Sequence, residues 1–165
     1  MKPSTPSGTP KFPTKPGRST TSWTIPKPTD VLSYVYLWSH EAAEGRDEGT
    51  KERPVVVVLA VQQRDHGTEI IVAPVTTKPP RQRGIAVEIP ARVREHLRLG
   101  AEPCWIVCDE LNRFTWPGPD VRLVQGRGEL TPFHGKIPGR LLEQVRDAMR
   151  IAVDADRLKL TKRTE

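Results

Sequence analysis

The sequence predicts a mainly β protein: a small barrel of five or six short strands with one C-terminal helix, preceded by a disordered N-terminal tail. Three observations carry this prediction. Runs rich in β-branched and aromatic residues, each of strand length, recur from Val31 onward between Gly, Pro and charged turns. A single apolar stripe of helical period occurs, near the C-terminus. The alternation of strands with long helices that a doubly wound sheet requires is missing.

Each element follows in order. Val31 to Trp38 (VLSYVYLW) has strand composition, and the acidic, Gly-containing Ser39 to Glu52 is a surface loop. Pro54 to Val61 (PVVVVLAV) is a continuous apolar run, expected to be a strand buried on both faces at the centre of the core. A turn at Asp65, His66 and Gly67 leads to a third strand, Glu69 to Val75. The basic loop Thr76 to Gly84 (TTKPPRQRG) precedes a short strand, Ile85 to Ile89. Pro90 starts one or two helical turns (ARVREHL) that Gly100 closes. A fifth strand spans Pro103 to Cys108, a turn spans ELNRFTWPGPD, and Val121 to Val124 adds a short strand. From Pro138 to Ala155 a helix aligns Leu141, Leu142, Val145, Ala148, Met149, Ala152 and Val153 on one face, with Arg140, Glu143, Asp147 and Arg150 opposite.

At 165 residues this is one domain, residues 30–156, between a basic Pro/Ser/Thr-rich tail at 1–29 and a basic C-terminal tail at 157–165. The tail cannot bury enough apolar surface to offset its ordering entropy. The longest apolar run, Val55 to Val61, falls far short of the roughly 20 residues of a membrane-crossing helix. No signal-peptide core opens the chain, so a cytoplasmic location is expected. Cys104 and Cys108, four residues apart, would lie about 13 Å apart on a strand, too far for a disulfide, and are expected to be buried without zinc.

The net charge of +6 points first to a polyanionic partner. Its distribution weakens that argument for the domain. Residues 1–29 hold five of the 26 Lys and Arg and none of the 20 acids, leaving 21 basic against 20 acidic residues in the rest. The case for RNA therefore rests on local features.

Those features are polar groups at strand ends. Arg53 enters the central strand, Thr76 and Thr77 leave the third, Asp109 leaves the fifth, and His40 and Glu41 follow the first. On one rim they would supply a guanidinium, hydroxyls, carboxylates and an imidazole, the groups that RNA cleavage through the ribose 2′-hydroxyl requires. Arg53 matches phosphate oxygens with its forked donors, and Thr76 adds a hydroxyl. His40, Glu41 and Asp109 are the candidates for acid and base, with the roles unassigned. Thr77, Lys78, Arg81 and Arg83 would guide the strand, and Trp116 in its Pro-Gly turn is a candidate for base stacking. Each has an ordinary alternative: an ion pair for Arg53, turn hydrogen bonds for Thr76 and Thr77, a turn position for Asp109.

Arg53-Pro54-Val55-Val56-Val57, Pro74-Val75-Thr76-Thr77, Val107-Cys108-Asp109-Glu110 and the C-terminal helix together resemble the MazF/PemK family of type II toxin-antitoxin ribonucleases, over roughly Asp30 to Val153. The resemblance implies an SH3-like barrel, usually a homodimer, that cleaves single-stranded RNA without metal or cofactor, inhibits growth and is neutralised by an antitoxin protein. It assigns the catalytic arginine to Arg53, the threonine to Thr76 and the His-Glu pair to His40 and Glu41. Three departures stand out. The loop between His40-Glu41 and Arg53 is longer than in the family, and Val107 stands where the PemK branch has an arginine. The arginine of the Cys-Asp-Gln-x-Arg motif is displaced by one, to Arg113. These departures favour the alternative of a weak or inactive barrel that binds nucleic acid or a protein. A third alternative is a peptide-binding barrel whose proline-rich tail recognises a partner.

Overall fold

The computed structural model describes residues 23–46, 49, 51–81, 84–126 and 128–163. The apolar run expected at the centre forms β2 (Glu52–Gln63), paired antiparallel with β1 (Asp30–Val35) on one side and β3 (Gly67–Thr76) on the other. Successive side chains leave a strand on opposite faces, so these three strands generate two cores. Val31, Val56, Val58, Ala73 and Val75 face one way. Leu32, Tyr34, Val55, Val57, Ile70 and Val72 face the other, joined by Tyr36 and Phe114.

The remaining strands are distributed along the two outer ones. The first half of β3 pairs with β6 (Glu110–Thr115), and its last residues pair with β5 (Trp105–Val107), which carries β4 (Ala86–Glu88). On the other side β1 pairs with β8 (Phe133–Lys136) and β7 (Val121–Arg122). Two short helices, α1 (Ser39–Ala43) and α2 (Ala91–His96), precede β2 and β5. The C-terminal helix α3 (Gly139–Asp154) buries Leu141, Leu142, Val145 and Ala148 in the first core, with Met149 beside them, and Ala152 is buried as well. Burying a side chain of that size contributes roughly 1.5–3 kcal/mol, which fixes the helix on the sheet. The class is therefore mainly β with a C-terminal helix, as expected.

Several expectations need correction. Only Val55–Val58 of the central run are buried on both faces, whereas Leu59 and Val61 are each 43% exposed. A register shift between Val57 and Leu59 bends β2 away from its neighbours there. Val153, expected on the apolar stripe of α3, is 57% exposed. Within the expected surface loop, α1 forms because Glu41 Oε1 accepts the Trp38 amide at 3.1 Å, satisfying a free donor at the helix start. The expected turn at 110–115 is instead β6, because the breakers Pro117, Gly118 and Pro119 begin only after it, and Leu111, Asn112 and Phe114 are buried. β8 is not among the expected strands; within it Gly135, at φ 141°, sits where a Cβ would come within 2.9 Å of Leu97 Cδ2.

Both chain ends of the domain also extend further than expected. Residues 159–162 form a ninth strand, β9 (Lys159–Lys162), which runs parallel to β6. Before β1, Pro26 is buried and Trp23 packs against Trp116 at 6.3 Å, so packing begins several residues earlier than residue 30. Residues 1–22 of the expected tail lie outside the described residues. Cys104 and Cys108 are buried free thiols.

Candidate active site

Arg53 stands where β2 begins, and the β2–β3 pairing decides what lies near it. The first pair of the β2–β3 ladder is Val55 with Pro74, so Arg53 and Thr76 both lie just beyond that end of the ladder. Arg53 Nη1 donates to the Val75 carbonyl at 3.3 Å, and the guanidinium carbon lies 5.0 Å from the centre of the Trp38 ring, within cation–π range. Burial lowers the Arg53 pKa from its ordinary value, an effect opposed by the charge of Glu41 and by Tyr36. The Thr76 hydroxyl accepts the Lys78 amide at 3.1 Å and so turns the chain into the basic loop.

Tyr36, which acts on Arg53, also reaches a carboxylate. Glu110 opens β6 with its side chain half-buried, and Oε2 accepts the Ser39 amide at 2.9 Å while Oε1 accepts the Ser39 hydroxyl at 3.0 Å. Oε2 also accepts the Tyr36 hydroxyl at 3.5 Å. Desolvation raises the Glu110 pKa above its ordinary value, held back by the two Ser39 hydrogen bonds and by His40, and reinforced by the adjacent Asp109. Burial, Glu110 and Tyr34 push the Tyr36 hydroxyl strongly upward, so it remains a donor. Tyr36 interacts electrostatically with both Arg53 and Glu110 and links the cationic and acidic halves.

The structure thus brings Arg53, Thr76, Glu41, His40 and Asp109 to one region, but with different availability. Glu41 is buried and engaged, its Oε1 with the Trp38 amide and its Oε2 with Arg46 Nη1 at 3.2 Å. His40 is exposed, on the same turn as Ser39. Asp109 is half-buried, and its carbonyl accepts the Lys159 amide at 2.9 Å. Thr77, Lys78 and Arg81 are exposed after β3, while Arg83 lies outside the described residues.

Two expected contact residues face elsewhere. Arg113 lies on the opposite face of β6 from Glu110 and pairs with Glu69 on β3 at 3.6 Å. Strand alternation sends it there, because Arg113 is an odd number of residues from Glu110. Trp116 is half-buried and packs in an aromatic cluster, with the rings of Trp23, Phe114 and Phe133 between 6.2 and 6.5 Å away. Sequence reasoning missed Tyr36, Ser39 and Glu110 as members of the site. The available signal was the adjacent Asp109-Glu110 pair at a strand start.

On the other side of the β1–β2 edge, a cavity of about 280 Å³ lies among Ser33, Glu52, Arg53, Arg98, Gln125 and His134. Among the described residues no group of three His, Cys, Asp or Glu side chains is placed to hold a metal ion. No described helix is long and apolar enough to cross a membrane.

The family model of PemK-like, MazF-like toxins of type II toxin-antitoxin systems matches residues 35–153, which include every candidate site residue named above. Among solved structures the chain is similar to a Mycobacterium tuberculosis toxin, MazF-mt6, at 19% identity and a TM-score of 0.42 over 74% of this chain and 96% of that one. No curated protein matches the sequence.

Proposed function

The chain belongs to the PemK-like, MazF-like toxins of type II toxin-antitoxin systems, and from that premise we propose that it is a metal-independent endoribonuclease that cuts single-stranded RNA and arrests growth. The observation that carries this reading is the state of Arg53. A guanidinium held by one hydrogen bond and an aromatic face keeps donors for phosphate oxygens, and its hydrogen bond is to Val75, the residue before Thr76.

In the proposed reaction a base removes the ribose 2′-hydroxyl proton, the 2′-oxygen attacks the adjacent phosphorus, and the bond to the 5′-oxygen breaks as an acid protonates it. The products are a 2′,3′-cyclic phosphate and a 5′-hydroxyl. Arg53 and Thr76 stabilise the charge that develops on the phosphorane oxygens. Glu110, whose raised pKa makes it a stronger base than an ordinary carboxylate, takes the proton with Asp109 beside it. In this scheme the exposed imidazole of His40 protonates the leaving oxygen. Lys78 and Arg81, exposed after β3, guide the strand in this scheme.

Further parts of this reading are an antitoxin protein that neutralises the enzyme, a homodimeric assembly and a cytoplasmic site of action. Incubating the purified protein with single-stranded RNA in EDTA tests the chemistry. Cyclic-phosphate ends should form, and Arg53→Ala should abolish them; intact RNA, or an Arg53→Ala variant as active as the wild type, overturns the reading. Glu41 gives one observation in favour of a second reading, a barrel that binds RNA or a protein without cutting. Its carboxylate is already committed to the Trp38 amide and to Arg46. That reading predicts retention of RNA with a steep loss of affinity in salt and no cleavage.

A further inference from the structure

Beyond Val35 the chain leaves the β1–β2 ladder, whose last pair is Val35 with Glu52. The backbone groups of the next residues must be satisfied by something other than a strand. Side chains from distant parts of the chain do this. Asn112, wholly buried on β6, accepts the Leu37 amide at 3.0 Å and donates to the Leu37 carbonyl at 2.8 Å, standing in for a strand partner. Val35 is held in the same way. Its amide donates to the Asp120 carbonyl at 2.9 Å, and its carbonyl accepts Arg163 Nη1 at 2.8 Å.

Arg163 ties these pieces together. It follows β9 and is only 2% exposed. Nη1 also reaches Asn112 Oδ1 at 3.1 Å, Nη2 pairs with Asp120 Oδ2 at 2.9 Å, and the guanidinium carbon lies 5.5 Å from the Tyr34 ring. A buried guanidinium is costly unless it is paired and hydrogen-bonded, and here its partners satisfy that condition. Backbone bonds anchor β9 at both ends, Lys159 N to Asp109 O at 2.9 Å and Arg163 N to Arg113 O at 2.8 Å.

The segment this network grips also contacts the candidate site. Tyr36 lies between Val35 and Leu37 and donates to Glu110, Trp38 stacks on Arg53, and the Ser39 amide and hydroxyl bind Glu110. We infer that Arg163 is a positioning residue: through Asn112, Asp120 and Val35 it holds the Tyr36–Ser39 segment, whose side chains and backbone reach Arg53 and Glu110.

The activity arm of the test rests on the ribonuclease reading; the structural arm does not. The variants are Arg163→Met, Arg163→Lys and a chain ending at Asp156, each compared with the full-length protein. Amide hydrogen exchange at Leu37 and Ser39 should quicken about tenfold or more in Arg163→Met, while Val57 in the core changes little, because local opening and global unfolding have separate free energies. On a single-stranded RNA oligonucleotide kcat should fall about tenfold or more with KM nearly constant, as expected when reacting groups are misplaced by a fraction of an ångström. The chain ending at Asp156 should show the same losses. Arg163→Lys, which keeps the charge opposite Asp120 with a single nitrogen, should recover part of both.

Uniform acceleration of exchange at Leu37, Ser39 and Val57 would reduce Arg163 to a contributor to global stability and overturn the inference. A folded Arg163→Met or truncated chain with wild-type kcat would do so as well. If Arg163→Met does not fold, exchange in Arg163→Lys decides: slow Leu37 and Ser39 amides refute the inference and quickened ones support it. If the wild type cuts no RNA, the ribonuclease reading fails alone and the exchange pattern still decides the role of Arg163.

Discussion

Arg53 is held by one carbonyl and one ring, whereas Glu110 sits in a network that passes through Ser39, Tyr36, Asn112, Arg163 and Asp120. The two regions share Tyr36 as a neighbour and differ in how much of their bonding capacity is spent inside the protein. A lightly bonded cation offers its donors to a ligand. A carboxylate tied to a backbone amide, a hydroxyl and a phenol has its position fixed before any ligand arrives. Substitutions on the cationic side should therefore be felt in activity and those on the acidic side in stability and geometry.

The largest effect tests the cationic side. Arg53→Ala removes the phosphate donor, and the rate of RNA cleavage should fall about 100-fold or more, equivalent to about 2.7 kcal/mol of transition-state stabilisation. Its melting temperature should stay within a few degrees of the wild type, since only one hydrogen bond and one ring contact are lost. A large drop in melting temperature would show that Arg53 is a structural residue and that the contrast is false.

Next comes Asn112→Ala on the acidic side. It strands the amide and carbonyl of the buried Leu37 and takes a partner from Arg163. Leaving buried polar groups without partners costs about 1–3 kcal/mol each, so destabilisation of roughly 2–4 kcal/mol is expected by denaturant titration. A loss below about 1 kcal/mol would mean that water or a shifted backbone replaces Asn112 easily.

Glu110→Gln probes both properties at once. Its folded pKa is raised by burial, so the folded state holds this proton more tightly than the unfolded chain does. The stability this group contributes is complete below the ordinary carboxylate range and is lost as pH rises through the raised folded value. Glutamine carries no charge at any pH. The melting temperature of Glu110→Gln relative to the wild type should therefore increase steadily between acidic and neutral pH, while cleavage falls about tenfold or more through loss of the base. A difference in melting temperature that does not vary with pH would remove the argument for a destabilised carboxylate.

What the sequence could and could not reveal follows from the same contrast. Arg53 and Thr76 are identifiable because each sits at the end of an unbroken β-branched strand, and strand ends are set by local pattern. Val55–Val58, the helical stripe from Leu141 to Ala152 and the buried, unpaired Cys104 and Cys108 are equally local. Glu110, Asn112 and Arg163 act through partners 71, 75 and 128 positions away in sequence, a distance that no periodicity encodes. β6 shows why. Its mixed ELNRFT composition resembles a turn until Asn112 and Phe114 are known to point into a core. β9 was hidden by its charge: LKLTKR has the composition of a solvated tail, and its place in the sheet comes from backbone pairing with β6, about 50 positions earlier, with Arg163 buried against Asp120 just after it.

The smallest effect concerns Glu41, a buried carboxylate that lies near the cation yet bonds like the acidic side. Arg46 pairs with it at 3.2 Å, but the Arg46 side chain is 46% exposed, so solvent and salt screen the pair. Exposed pairs are worth roughly 0.2–1 kcal/mol, and Arg46→Ala should cost no more than that, with the loss shrinking as salt is added. The Trp38 amide remains on Oε1, so α1 should keep its start. Activity is the more informative readout. Freed from Arg46, the Glu41 charge bears more directly on Arg53, whose protonated form it already favours, and phosphate must then compete with it. KM for RNA should rise by a factor of about two or three with kcat unchanged, as for a loss of uniform binding. A fall in KM would instead identify Arg46 as a residue that repels or occludes the strand, and would move Glu41 from the supporting structure of α1 into the phosphate site beside Arg53.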